Sequence, residues 1–257
     1  MASHLRCENV TVRFGGLTAC NRVNLDVEAG KIVGLIGPNG AGKTTLFNVL
    51  SRFQDMNDGE LYYRDQPVRR RKPHEMVGMG LARTFQNINL FREQSTLDNI
   101  LIGAHRRMGD PFSAMYSLPH ARRRERELVR RATEIAELLD LSDVLDTEAK
   151  NLPYGSQKRV ELARALASQP EIVLLDEPVA GCNEEETADL RRVVHQINRE
   201  LGITILMVEH DMSMVMGVCE YIYVINFGAN LADGTPAQIR ANPEVISAYL
   251  GEETVEA

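Results

Sequence analysis

Polar and apolar residues alternate through residues 4–28. Val10, Val12 and Phe14 come first, then a turn at Gly15-Gly16, then Val23, Leu25 and Val27. A period of two predicts a pair of antiparallel strands. Ala29-Gly30 turns the chain into Ile32-Val33-Gly34-Leu35-Ile36, which reads as a short buried strand. Leu46, Val49, Leu50 and Phe53 then recur at helical spacing, so a helix begins at Thr44 and runs to Leu50 or beyond. Asn57-Asp58-Gly59 signals a turn before a strand over 60–63, and 81–85 reads as a strand ending at Gln86.

From 87 to about 151 the β pattern fades. Helical periodicity appears at 95–106 and 122–141. In the second block Val129, Ala132, Ile135, Ala136 and Leu139 share a face, and Arg and Glu cover the other. The stretch between, with Gly109, Pro111 and Pro119, reads as loop. This region is the candidate for an inserted helical subdomain. Alternation of strand and helix resumes at 152. A helix is expected over 160–168, then a buried strand over 171–175 running into Asp176-Glu177. Leu190, Val193, Val194, Ile197 and Leu201 mark an amphipathic helix stopped by Gly202. A buried strand over 203–208 leads to Glu209-His210-Asp211. A hairpin about Phe227-Gly228 and short helices at 236–241 and 243–250 close the chain.

The chemistry starts between the first buried strand and the first helix. Gly37-Pro38-Asn39-Gly40-Ala41-Gly42-Lys43-Thr44-Thr45 fits the phosphate-binding pattern G-x-x-x-x-G-K-[ST]. Its glycines let the backbone curl so that N–H groups face phosphate oxygens. The helix behind it adds free N–H groups and the positive end of its dipole. Lys43 is placed to reach the β- and γ-phosphates of a nucleoside triphosphate, and the Thr44 hydroxyl to hold Mg²⁺. Asp176 ends an apolar strand expected beside that of the loop. Two adjacent carboxylates there need a reason, because burying charge is costly. An ion supplies it, with Asp176 holding Mg²⁺ through water and Glu177 polarising the attacking water.

Composition narrows the rest. The chain has 257 residues, 44% apolar and 25% charged, an ordinary folded composition. A net charge of -7 argues against a nucleic-acid binder. No apolar run approaches the roughly 20 residues of a membrane span, and the first residues lack a signal-peptide core. Cys7, Cys20, Cys182 and Cys219 show no C-x-x-C spacing and read as reduced structural thiols. Arg69-Arg70-Arg71-Lys72 reads as a solvated loop, with contact to anionic lipid as the minor alternative.

Five features stand in order: the phosphate loop, Gln86 after a strand, Leu152-Pro153-Tyr154-Gly155-Ser156-Gln157 before a helix, Leu174-Leu175-Asp176-Glu177-Pro178, and His210 after a strand. Together they resemble an ATP-binding-cassette ATPase over residues 4–251. The resemblance implies an α/β fold: a P-loop NTPase (RecA-like) core over 4–86 and 152–251, with an N-terminal antiparallel β subdomain and a helical subdomain at 87–151. It implies ATP and Mg as ligands. Gln86 would touch Mg²⁺ and the attacking water, His210 the γ-phosphate, and Phe14 the adenine ring. Asn183 would stand in a dimer-contact loop where the family usually has Asp. Tyr154, Gly155, Ser156 and Gln157 would face the ATP of an opposite subunit. Ile88, Leu90 and Phe91 are either a docking surface or core.

The signature departs from the common Leu-Ser-Gly-Gly-Gln: Pro153 replaces the serine and has neither hydroxyl nor N–H. Ser156 is then expected to cap the following helix. This variant, with Phe14-Gly15-Gly16-Leu17, Arg83-Thr84-Phe85-Gln86, Val208-Glu209-His210-Asp211-Met212 and Ala248-Tyr249-Leu250-Gly251, resembles the LivG-type ATPases of branched-chain amino-acid uptake. That implies two membrane permease subunits, a second cassette subunit (homologous or an identical copy), a periplasmic solute-binding protein acting indirectly, and a peripheral place on the cytoplasmic face of the inner membrane. Cassettes for urea or amide uptake and for lipid extraction look similar. A soluble cassette ATPase without a membrane partner and a P-loop kinase are rivals from other classes. The kinase leaves the signature helix and His210 without a role.

Overall fold

The computed structural model describes residues 3–105 and 119–253. The first alternating block forms β1 (Ser3–Phe14) and β2 (Leu17–Glu28), paired antiparallel. β4 (Asp58–Tyr63) and β5 (Gln66–Pro67) complete a four-stranded sheet in the order β2-β1-β4-β5. The expected turn at 57–59 is partly strand. Gly59, at φ 97°, lies against the carbonyls of Glu8 and Asn9, where the β1–β4 register slips, so the turn residues serve a bulge.

The second sheet runs β10-β9-β3-β8-β7-β6. β3 (Ile32–Ile36), β6 (Leu81–Arg83), β7 (Ile172–Asp176), β8 (Thr204–Val208) and β9 (Tyr221–Asn226) are parallel, and β10 (Ala229–Gly234) is an antiparallel edge. β6 is shorter than expected. Thr84 still donates its N–H to the Leu174 carbonyl at 2.9 Å, and then the chain leaves the ladder at Phe85. Because this sheet is covered on both sides, its strands β3, β7 and β8 are buried at every position and largely apolar. Ile32, Ile36, Val173, Leu175, Ile205 and Met207 enter one core, and Val33, Leu35, Ile172, Leu174, Leu206 and Val208 enter the other.

The second core fills the space between the two sheets and surrounds α1 (Lys43–Leu50), whose Leu46, Phe47, Val49 and Leu50 are completely buried. Each such side chain contributes roughly 1.5–3 kcal/mol. Burial pushes the Cys7 thiol here, and Cys219 in the first core, up to about 12. All four cysteines are free.

α2 (Pro73–Met79) follows the basic run, which had shown no helical pattern. Within the run Arg69 bonds the Asn57 and Gly59 carbonyls, and Arg71 pairs with Glu75. α3 (Thr96–Gly103) is capped by Ser95, whose hydroxyl accepts the Asp98 N–H. α4 (Pro119–Leu138) begins where loop was expected, since proline suits a first helical position that has no N–H partner to lose. Its buried stripe is Leu128, Ala132 and Ala136, continued by Leu139 just beyond the helix, while Val129 and Ile135 are only half-buried. Gly109 and Pro111 of the expected loop lie outside the described residues. α5 (Tyr154–Ala167), α6 (Glu184–Leu201), α7 (Met212–Val218), α8 (Pro236–Ala241) and α9 (Pro243–Glu253) complete the chain. Gly202, at φ 67°, ends α6.

α3 crosses α5 so closely that a Cβ on Gly103 would run into the Arg164 carbonyl. Gly103→Ala is therefore expected to destabilise the protein by about 1–3 kcal/mol despite alanine's better helix propensity. Urea denaturation measures it. An unchanged midpoint would show that the helices separate at no cost.

Candidate functional site

The carboxyl ends of β3, β7 and β8 open onto one surface. β7 does not flank β3 as the sequence had suggested: β8 pairs with both and lies between them. The connection after α6 returns the chain to the gap, which sets His210 between the phosphate-loop candidate and Glu177.

That loop leaves β3 at Ile36. Gly37, Gly40 and Gly42 all take positive φ, at 154°, 74° and 97°, the curl that the pattern requires. Gly42 is the N-cap residue of α1. Lys43 is 7% exposed, and its ammonium donates to the Gly37 and Pro38 carbonyls at 2.6 and 2.8 Å. Pro38 and Ala41 are buried, Gly42 and Thr45 half-buried, and Asn39, Gly40 and Thr44 exposed. Phe14, at the end of β1, is 48% exposed, an aromatic ring left largely in solvent.

The acidic pair divides. Asp176 is 5% exposed, and its Oδ2 accepts from the Arg83 guanidinium at 2.7 Å. Glu177 leaves the strand at φ 46°, held by its N–H on the Val208 carbonyl at 3.0 Å. Gln86 Nε2 donates to Glu177 Oε2 at 2.7 Å, and His210 Nδ1 stands 3.9 Å from Oε1. Gln86, Glu177 and His210 thus meet although they come from three separate loops. Lys158, 5% exposed, reaches across from α5 and donates to the Gln86 carbonyl at 3.1 Å, with the Glu177 carbonyl at 3.5 Å.

The signature segment corrects two expectations. The helix begins at Tyr154, not after the segment, and Pro153 is its N-cap residue without a side-chain cap bond. Ser156 is therefore in the first turn and caps nothing. Proline at the boundary costs no helical hydrogen bond, so the helix extends back to it. The N–H groups of Tyr154, Gly155 and Ser156 belong to the open first turn, while Gln157 donates its backbone N–H to the Pro153 carbonyl at 3.0 Å. The Gln157 side chain bonds the Leu152 carbonyl at 2.9 Å. Tyr154 turns to its own chain: its hydroxyl donates to the Ala180 carbonyl at 3.1 Å and its ring covers Gly181. A Cβ on Gly155 would stand 2.7 Å from Glu186 Oε1. Asn183 is the N-cap residue of α6 and accepts the Glu186 N–H at 2.9 Å, a role aspartate would fill equally. Leu90 packs on the first core, Ile88 is half-buried, and Phe91 is 54% exposed.

Three contributors escaped the sequence reading. Arg83 appeared only within a motif string, and nothing in the pattern of the helix after the signature singles out Lys158. Glu209 followed a run of apolar residues, and that position was a usable signal. It is fully buried, and its carboxylate accepts the N–H of Val179 at 2.9 Å, His210 at 3.1 Å and Asp211 at 3.4 Å. Burial pushes its carboxyl up, and these three donors pull it back.

The model of the ABC transporter family matches residues 20–180, and that of the branched-chain amino acid ATP-binding cassette transporters matches residues 229–255. The chain is 44% identical over 249 residues to the high-affinity branched-chain amino acid transport ATP-binding protein BraF of Pseudomonas aeruginosa. It is 45% identical over the same length to LivG of Escherichia coli K12. Both alignments cover 96% of this chain and 98% of the relative. A crystal structure of an ATP-binding cassette of an ABC transporter in its ADP conformation superposes with a TM-score of 0.86 at 32% identity, covering 98% of this chain and 100% of that one. A nucleotide-free cassette gives 0.84 at 32%, covering 97% and 99%.

Glu209→Gln leaves one acceptor oxygen for donors that now share two. The expected cost is about 1–3 kcal/mol, with faster amide hydrogen exchange at Val179 and His210. Unchanged protection at both amides would show that the carboxylate does not hold these loops.

Proposed function

This chain belongs to the ATP-binding-cassette transporter family, and we propose that it binds and hydrolyses ATP to power an importer of branched-chain amino acids. The observation that carries this reading is the meeting of Gln86, Glu177 and His210 beside a glycine loop bearing Lys43. The names of the relatives and the match at 229–255 support the solute class over amides or lipids.

Lys43 would exchange the Gly37 and Pro38 carbonyls for the β- and γ-phosphates. The donors suit Mg²⁺: the exposed Thr44 hydroxyl and the Gln86 amide would supply oxygens, the Asp176 carboxylate would hold the ion through water, and phosphates and water would complete the shell. Bound there, the ion would neutralise charge on the phosphates. Glu177 would release Gln86 and polarise the attacking water, and His210 would turn to the γ-phosphate. Phe14 would stack on the adenine. The first-turn N–H groups of α5, with the helix dipole, would hold the γ-phosphate of a partner's ATP in place of the missing serine hydroxyl. Asn183 would lie in the contact between the two cassettes.

The transporter reading brings two permease subunits, a second cassette that is a homologue or an identical copy, and a solute-binding protein beyond the membrane. No helix among the described residues is long and apolar enough to cross a membrane. Residues 87–151 would form the helical subdomain, and the exposed Phe91, which follows Gln86 in the chain, would face a permease.

Lys43→Ala should sharply weaken ATP binding measured by calorimetry, and near-normal affinity would count decisively against the assignment. Glu177→Gln should keep ATP binding and lower hydrolysis by about 100-fold or more. Turnover at the parent rate would remove Glu177 from catalysis.

A further inference from the structure

Arg83 stands where three parts of the site meet. One guanidinium nitrogen donates to Asp176 Oδ2 at 2.7 Å, and both side chains are only 7% exposed. The other terminal nitrogen donates to Asn48 Oδ1 and Ser51 Oγ, each at 2.7 Å. Both acceptors follow from the phosphate-loop helix: Asn48 lies one turn beyond Thr44, and Ser51 ends α1. Three rings surround the cation, with Phe47, Phe53 and Phe85 centred 5.0, 5.6 and 5.3 Å from its central carbon. Thr84, the next residue, accepts the Asp176 N–H on its hydroxyl at 3.3 Å. The end of β6 therefore grips Asp176 by both backbone and side chain.

A buried ion pair is a poor way to add stability, because the desolvation cost consumes most of the attraction. A rigid fork locked by aromatic faces is a good way to aim a carboxylate. Arg83 occupies Oδ2 and leaves Oδ1, and it joins the helix that carries Thr44 to the strand that ends in Asp176. Carboxylates that serve metal ions are characteristically held in this manner, and loss of the holder typically costs 10–100-fold in metal affinity.

We infer that Arg83 is a positioning residue for the magnesium site, setting the separation and orientation of Thr44 and Asp176 before the ion arrives. The inference rests on the ATPase reading above. It makes no contact with nucleotide part of the claim, so it separates the metal's share of binding from that of the phosphate loop.

The test is equilibrium binding of ATP to the whole protein, in EDTA and at graded Mg²⁺ concentrations. Absence of any ATP binding by the parent protein would fail the ATPase reading itself. With the parent binding, Arg83→Met should keep its EDTA affinity within about twofold and raise the Mg²⁺ midpoint about 10-fold. Arg83→Lys keeps the charge without the fork and should fall between. Asn48→Ala breaks one of the two helix contacts and spares the Asp176 bond, so its Mg²⁺ midpoint should rise less than that of Arg83→Met. An unchanged or lower midpoint in Arg83→Met overturns the inference. So does an equal loss of affinity with and without Mg²⁺, which would make Arg83 a prop for the helix alone. Should Arg83→Met fail to fold, by circular dichroism, Arg83→Lys decides on the same criteria.

Discussion

Three carboxylates stand at the carboxyl ends of two neighbouring apolar strands, and a charge drawn out of water there is costly unless something else solvates it. Each finds a different solvent. Asp176 takes the Arg83 guanidinium, Glu209 takes three backbone N–H groups, and Glu177 takes the Gln86 amide with His210 nearby. Apart from the His210 and Asp211 amides beside Glu209, these partners are distant in sequence. Arg83 and Gln86 come from the end of β6, Val179 from the loop after β7, and His210 from the loop after β8. Satisfying the charges therefore sets the positions of the loops, and the loops carry the residues proposed for the chemistry.

Strand periodicity and apolar runs made most of the framework legible. Residues 32–36, 172–175 and 205–208 are apolar throughout because the parallel sheet is covered on both faces, and such runs leave few readings besides a buried strand. The curled glycine loop between β3 and α1 was legible because phosphate binding dictates residue types at fixed spacing. Spatial order was not. Nothing local in β7 or β8 says which lies next to β3, since both are apolar on both faces and parallel ladders form equally well with either.

The signature segment shows a second limit. Ser156 looked like a cap because serine favours that position. The structure instead starts α5 at Tyr154, because proline supplies a suitable φ before the helix and Gly155 permits the approach of Glu186. Lys158 carried no signal of its place. A lysine in a helix with Arg and Glu reads as solvated, yet here it bridges two loops at 5% exposure. Long polar side chains are the residues whose neighbours sequence patterning states least.

The hairpin of β9 and β10 reaches back to the phosphate loop. Gly228 donates its N–H to the Ala41 carbonyl at 3.0 Å and accepts from Asn21 at 2.7 Å, and the Ile225 carbonyl lies so near Gly37 that a Cβ would strike it. β10 opens the segment that matches the branched-chain transporter model, 229–255. The part of the chain that distinguishes the subgroup is thus continuous with a brace on the part that the whole family shares. A chimera joined at residue 229 would separate β10 from the native β9 it pairs with, whereas a junction before Tyr221 would carry hairpin and tail across together.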